Sequence, residues 1–337
     1  MTRTTGARPP GVVALGASAG GIDALQRIVA ALPVDFGLAV VVVLHIPAAS
    51  RSLLADIIGR KTTLSVSPAV HGEPLRGGHI FVAPPDHHLL VTRDTLVLDR
   101  GPKENGARPA IDPLFRSLAA AWGPRGIAVV LSGALADGAA GAAAVAVAAG
   151  SVVVQAPDDA AVPSMPEATL RAVPAARTLA ADDIGAALAA TATDLVAAPE
   201  PEKEVTVAPE SFRPSARATR PAWPPTGLTC PECHGPLWED STNGVVQFRC
   251  RVGHAYTEEV LLDAKGGEVE AAMWSAVEAL EEHAELIRKV AARLDEAGSA
   301  HVAGVLRTRA ERSDERADVL RAVLAAASQP EPEPEAA

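Results

Sequence analysis

The sequence predicts an α/β fold: a doubly wound, mostly parallel, Rossmann-like sheet, followed by a small zinc-ribbon-like module and a helical hairpin. Three observations predict it. Short Val-rich runs alternate with helix-like stretches between residues 11 and 195. All three cysteines lie between residues 230 and 250. Apolar residues then recur with 4-3 spacing from Met273 to Leu294.

The runs 11–16, 38–45, 127–132 and 151–154 read as strands buried on both faces, because they are nearly continuous in Val, Ile, Leu and Ala rather than alternating with polar residues. Ile22–Leu32, Ser52–Arg60, Pro113–Trp122 and Ala139–Ala149 read as the helices between them. The segment 64–100 reads as a hairpin, with His79–Ala83 and Leu89–Val91 on either side of Pro84-Pro85-Asp86. Residues 1–10 read as a disordered N-terminus, 11–195 as the main domain and 196–225 as a Pro-rich linker. A Cys/His module follows at 226–258, then a helical hairpin at 259–327 that turns at Gly298, then an acidic disordered tail at 328–337. The seam Met273, Val277, Leu280, Ala284, Ile287, Ala291 and Leu294 suits an intramolecular hairpin and equally suits a dimer through 259–327.

A chain of 337 residues accommodates two ordinary domains. The net charge of -11 is uneven: residues 1–195 hold 15 Lys+Arg against 16 Asp+Glu, and the rest hold 15 against 25. Nothing clusters basic residues as a nucleic-acid face requires. No N-terminal run has the pattern of a secretory signal, and no stretch of about 18 apolar residues would span a membrane. A cytoplasmic protein is expected.

Three of the strand-like runs end close to a serine, a histidine and an aspartate. Ser18 lies in Gly16-Ala17-Ser18-Ala19-Gly20-Gly21, His45 closes the second run, and Asp137 lies in Leu131-Ser132-Gly133-Ala134-Leu135-Ala136-Asp137-Gly138. Open parallel sheets place ligand sites just past the carboxyl ends of their strands, so the three can converge at one edge. Ser, His and Asp are the residue types of a nucleophilic acyl-transfer site. Backbone N–H groups of Ala19 and Gly20, at the start of a helix, suit an oxyanion. Each residue also has a plainer reading: a phosphate-binding turn at 16–21, a structural histidine at 45 and a helix N-cap at 137. The turn lacks Gly-Lys-Ser/Thr and the G-x-G-x-x-G spacing, and the second strand ends in His45 rather than an acid, which weighs against nucleotide binding.

These motifs together resemble the chemotaxis protein-glutamate methylesterase family, the CheB catalytic domain, over roughly residues 10–195. That family carries Gly-Ala-Ser-x-Gly-Gly, a His-x-Pro histidine and Leu-Thr-Gly-Met-Gly-x-Asp-Gly, and Ala83-Pro84-Pro85 with His88, Arg108-Pro109-Ala110-Ile111-Asp112 with Leu114-Phe115, and Met165-Pro166 add to the match. The chain departs from the pattern at Ala19, where Thr is common, at Ala107, where a histidine is common, and at Ala134-Leu135, which replace Met-Gly. The first strand begins near residue 11, which is expected to leave no place for the receiver domain that usually precedes this family's catalytic domain.

The resemblance implies hydrolysis of glutamyl γ-methyl esters on a methylated chemoreceptor or related signalling protein, with deamidation of glutamines as a companion reaction. It implies Ser18 as nucleophile, His45 as base and Asp137 as the acid that orients it, without a catalytic cofactor. Arg108 is a candidate for binding an acidic receptor surface, and His88 is a reserve base. The alternative is a non-catalytic signalling scaffold that binds through the same fold and the C-terminal module.

Cys230-Pro231-Glu232-Cys233 and Cys250-Arg251-Val252-Gly253-His254 give Cys-x2-Cys and Cys-x3-His, 16 residues apart. Three thiolates and an imidazole make a closed tetrahedral set for a structural Zn2+, with ligands Cys230, Cys233, Cys250 and His254. Asn243-Gly244 suits a hairpin turn that would bring the pairs together. His234 is a poorer fourth ligand because it adjoins Cys233.

Overall fold

A computed structural model describes residues 8–49, 52–197, 224–241 and 244–327. The expected N-terminal tail (but for its last residues), nearly all of the linker, Asn243 of the hairpin turn and the acidic tail lie outside the described residues. The chain forms two compact units, Met1–Leu261 and Leu262–Ala337.

The first unit is built on a seven-stranded sheet. In chain order its strands are β1 (Val12–Ala17), β2 (Ala39–Leu44), β3 (Ser65–Pro68), β4 (His79–Val82), β7 (Gly126–Val130), β8 (Ser151–Gln155) and β9 (Arg177–Leu179). The spatial order is β3-β4-β2-β1-β7-β8-β9, and every pairing is parallel. The Val-rich runs form central strands because both of their faces are covered. Along β1, Val12 and Ala14 enter one core while Val13, Leu15 and Ala17 enter the other; β2 divides in the same way. Helices α1 (Gly21–Ala30), α2 (Leu54–Gly59) and α6 (Ala181–Ala197) supply side chains to one core. Helices α3 (Ile111–Trp122), α4 (Ala139–Val147) and α5 (Ser164–Ala172) supply the other.

The expected hairpin around Pro84-Pro85-Asp86 is corrected. His79–Val82 joins the main sheet in parallel beside β2, and the hairpin is formed instead by β5 (His88–Val91) with β6 (Leu96–Asp99). Leu89, Leu90 and Val91 are all buried, and β5 packs against α3, while the buried Ile80 and Phe81 need cover on both faces and find it in the sheet.

The same unit holds a four-stranded antiparallel sheet of β10 (Pro225–Thr229), β11 (Pro236–Asp240), β12 (Gln247–Cys250) and β13 (Ala255–Thr257). It has its own small core of Leu237, Phe248, Tyr256, Val260 and Leu261 around Cys230 and Cys250. In the second unit, the residues of α7 (Glu258–Glu296) from Leu262 on and those of α8 (Ala300–Ala327) pack along the expected seam. Val277 meets Ala317 and Leu324, and Ala284 and Ile287 meet Ala310. Gly298, with φ 79°, lies in the turn between the two helices.

Candidate active site

The chain leaves β1 to reach β2 on one side and returns to β7 on the other, so the sheet reverses direction of growth at β1. Ligands of open α/β sheets bind at such switch points, beyond the carboxyl ends of the strands. Ser18 follows β1, His45 follows β2, and the segment after β7 carries Asp137. Parallel register brings them level: Ala17 lies opposite Leu44, and Gly16 opposite Val130.

Ser18 is held by its backbone. Its N–H donates to Ser132 O at 2.9 Å, and its carbonyl accepts from Gly21 N at 3.0 Å. Gly20 takes φ 74°, where a Cβ would also press on Ala161 and the Ser132 hydroxyl, so glycine is required on both counts. The N–H groups of Ala19 and Gly20 have no acceptor among the described residues and lie at the start of α1. Gly133 is a second close approach: a Cβ there would stand 2.8 Å from Ser18 Cβ and 2.1 Å from Met165 Sδ.

The three side chains meet. His45 Nδ1 stands 3.1 Å from Ser18 Oγ, and His45 Nε2 stands 2.7 Å from Asp137 Oδ2. Asp137 is 2 % exposed and its carboxylate also accepts from Ile111 N at 2.7 Å, Asp112 N at 3.1 Å and Asn105 Nδ2 at 2.8 Å. Burial alone pushes this carboxyl up, but the His45 ring, the Ile111 N–H and the Asn105 amide outweigh it and hold its pKa at about 2. An ionised carboxylate only accepts, so Nε2 carries the ring proton and Nδ1 presents its lone pair to Ser18. Such an arrangement can supply a nucleophile, a base and an orienting acid.

Other sequence candidates lie elsewhere. His88 is fully buried; its Nε2 donates to Pro102 O at 2.9 Å and its Nδ1 accepts from Ala110 N at 3.3 Å. Burial holds it below the usual histidine range, so it is a neutral brace under the α3 N-terminus rather than a base facing Ser18. Arg108 directs Nε and Nη2 to Asp86 Oδ1 and Nη1 to Gly101 O.

Two polar residues beside the triad, the half-buried Asn105 and the buried Asp112, carry no role in the sequence reading. Asn105 donates one amide hydrogen to Asp137 and approaches Asp112 Oδ2 at 2.9 Å with the same nitrogen. Burial and the Asp137 charge push Asp112 up to about 7, while Gly141 N donates to its Oδ1 at 2.6 Å. The sequence signal available for both was the Asn-Gly turn and the Arg-Pro-Ala-Ile-Asp string, neither of which reveals a contact with residue 137.

Cys230, Cys233, Cys250 and His254 form one cluster whose ligand atoms all lie within 4.8 Å of one another. Sγ to Nδ1 distances of 3.6 Å from Cys230 and 3.5 Å from Cys250, and 3.6 Å between the Cys233 and Cys250 sulfurs, are the edges of a small tetrahedron. Two tight turns build it: His234 N donates to Cys230 O, and Gly253 N to Cys250 O. The cluster can hold a metal ion, and His234 is not part of it. Among the described residues no helix is long and apolar enough to cross a membrane.

The sequence family described as CheB methylesterase matches residues 13–188. A protein-glutamate methylesterase/protein-glutamine glutaminase of Rhodospirillum rubrum is 39 % identical over 183 residues, 52 % of this chain and 47 % of the relative. One from Paramagnetospirillum magneticum is 37 % identical, covering 50 % of this chain and 46 % of its own length. The chain thus spans about half the length of the curated relatives it matches. The crystal structure of the Thermotoga maritima CheB methylesterase catalytic domain superposes with a TM-score of 0.52 at 31 % identity, over 54 % of this chain and 98 % of that one.

Proposed function

The chain belongs to the CheB methylesterase family, and on that premise we propose that it hydrolyses glutamyl γ-methyl esters on a methylated chemoreceptor or related signalling protein, using Ser18, His45 and Asp137. The observation that carries this reading is the continuous chain of contacts from Ser18 Oγ through both ring nitrogens of His45 to the buried Asp137 carboxylate.

His45 Nδ1 accepts the Ser18 hydroxyl proton as Oγ attacks the ester carbonyl carbon. The carbonyl oxygen gains negative charge and is met by the Ala19 and Gly20 N–H groups. The imidazolium, steadied by Asp137, returns its proton to the leaving oxygen, and methanol departs from the acyl-serine. Water then attacks the acyl carbon, giving its proton to His45, which passes it to Ser18 Oγ as the acyl bond breaks, releasing the glutamate product and free Ser18. With a glutamine substrate the same steps release ammonia, the second activity in the relatives' names. Arg108 remains the candidate for the acidic receptor surface, and the cytoplasm the proposed compartment, consistent with three reduced cysteines.

Zinc is the metal proposed for the Cys/His cluster. Bonds of about 2.3 Å to sulfur and about 2.0–2.1 Å to nitrogen span edges of about 3.6–3.8 Å in a tetrahedron, close to the distances found. Four protein ligands close the site, so its role is structural. The main domain (11–195), the module (226–258) and the hairpin (259–327) are taken as the working parts of the chain.

The test is methanol release from methylated chemoreceptor fragments, comparing the full chain with Ser18→Ala. Release by the wild type alone supports the esterase. Equal release by both overturns the assignment of Ser18. No release, with no labelling of Ser18 by a serine-reactive phosphonate, favours the scaffold.

A further inference from the structure

Two observations tie the Cys/His module to the triad. The first is Asn105. Its backbone N–H donates to Ala255 O at 2.7 Å, and its Oδ1 accepts from Thr257 N at 2.9 Å, so β13 grips both ends of the residue. The same side chain donates through Nδ2 to Asp137 Oδ1. His254, one of the four clustered ligand residues, immediately precedes Ala255. A route of a few bonds therefore runs from the cluster through β13 and Asn105 to the acid of the triad. Glu104 reinforces it: the residue bridges Ala255 in parallel, is 1 % exposed, and pairs with Arg116 of α3 at 2.7 Å and with Arg249 of β12 at 3.8 Å.

The second observation is Leu135, two residues before Asp137. Its φ is 63°, a region that glycine enters freely and a branched side chain resists. Its side chain packs against the module core that contains Cys230, Cys250, Phe248 and Tyr256. The strained backbone is thus compensated by a contact with the module core. The turn carrying Asp137 is pinned to the module on one side by Leu135 and on the other by Asn105.

We infer that the Cys/His module is a brace for the Asp137 turn, with Asn105 and Leu135 as positioning residues, so that a metal ion in the Cys230-Cys233-Cys250-His254 cluster sets the turnover rate without entering the chemistry. This rests on the esterase reading of Ser18, His45 and Asp137. With the cluster disordered, Ala255 and Thr257 lose their fixed places, Asn105 loses its two anchors, and Asp137 keeps only its backbone donors and His45.

Asn105→Asp separates positioning from mere docking. Aspartate tolerates positive φ, and its Oδ1 still accepts from Thr257, but an oxygen replaces the hydrogens given to Asp137 and Asp112. In the zinc-loaded full chain, kcat should fall about tenfold to a hundredfold with KM within about twofold, because the acid is displaced and not the substrate site. Zinc content and far-ultraviolet circular dichroism should stay at wild-type values. Leu135→Gly, which relieves the strained φ but removes the anchor, should also lower kcat. Stripping zinc from the wild type should shift the ring nitrogen resonances of His45 and speed hydrogen exchange at the Asn105 and Thr257 amides. Wild-type kcat in Asn105→Asp, or His45 resonances unmoved by zinc removal, would overturn the inference. The two readings fail separately: absent methanol release by the wild type counts against the esterase, while the resonances report the brace whatever the substrate.

Discussion

Replacing Asp137 by asparagine tests the triad at its most constrained point. The carboxylate accepts from His45 and Ile111 at Oδ2 and from Asp112 and Asn105 at Oδ1. An amide has one oxygen for those four donors. With the oxygen kept toward Asp112 and Asn105, its NH2 meets the Ile111 N–H, one orphaned buried donor costing about 1–3 kcal/mol. Turned over, it opposes both Asp112 N–H and the Asn105 amide, which cannot rotate to help because Thr257 holds its oxygen; the cost is about twice as large. The first arrangement wins. It forces His45 to accept at Nε2 and so to carry its proton on Nδ1, facing Ser18 with a donor. The base is lost, and kcat should drop by about 10³ to 10⁴ with the fold retained. The lost charge has a second reading. Asp137 titrates at 3.8 unperturbed and about 2 in the fold, worth about 2–3 kcal/mol of stability at neutral pH at about 1.4 kcal/mol per pH unit. A depressed carboxylate stabilises above its unfolded value and loses that contribution as pH falls through the folded one, so this contribution in the wild type should fade between about pH 4 and pH 2 and be absent from Asp137→Asn. Methanol release and urea denaturation across that range measure both. A kcat for Asp137→Asn within tenfold of wild type would refute the tautomer argument.

Two further outcomes follow from the packing. Gly133→Ala places a methyl against Met165 Sδ and Ser18 Cβ; it should cost about 1–3 kcal/mol in chemical denaturation and lower kcat, and an unaltered protein would show that the turn has slack. His88→Gln should lower stability by about 1–3 kcal/mol through its disturbed contacts to Pro102 and Ala110, yet leave kcat within about threefold at temperatures where it stays folded; a collapse of kcat in folded protein would restore His88 as a candidate base.

What the sequence made legible was what burial writes strongly. Val40 to Val43 and Ile127 to Val130 are strands because both faces are covered, and a run of branched apolar residues has few other uses. The edge strands β3, with Ser65 and Ser67, and β9, opening at Arg177, are half exposed and carry no such signature. Helix α6 is Ala- and Thr-rich with a weak apolar stripe, so its pattern does not announce it. The His79–Val82 error has the same root: a short apolar run says that it is buried, not which strand it pairs with. At the site, Ser18, His45 and Asp137 were legible because each ends a recognisable strand or turn. Asn105 was not, because it lies in a turn, with positive φ at Asn105 and Gly106. A turn residue's side chain has no periodicity, so its reach to Asp137 and to β13 appears only in three dimensions.

The orientation of the His45 ring shows where chemical order, rather than atom labels, governs the site. In the familiar serine-protease arrangement Nε2 faces the serine and Nδ1 the aspartate; here Nδ1 faces Ser18 and Nε2 faces Asp137. Base catalysis requires only that one ring nitrogen be held protonated by an anion while the other offers a lone pair to the nucleophile. The backbone explains the choice. His45 directly follows β2, its N–H tied to Ala17 O at 3.2 Å, so the ring sits beside the serine turn, with Nδ1, the nitrogen nearer its Cβ, toward Ser18. The far nitrogen then points to the turn after β7, where Asp137 waits under the start of α3. Because Asp137 addresses the distal end of the ring, a small displacement of its turn swings the imidazole about Cβ and moves Nδ1 relative to Ser18 Oγ. A triad built this way depends on whatever holds that turn, and among the residues that hold it are Ile111 and Asp112 from α3 and Asn105 from the turn beside β13.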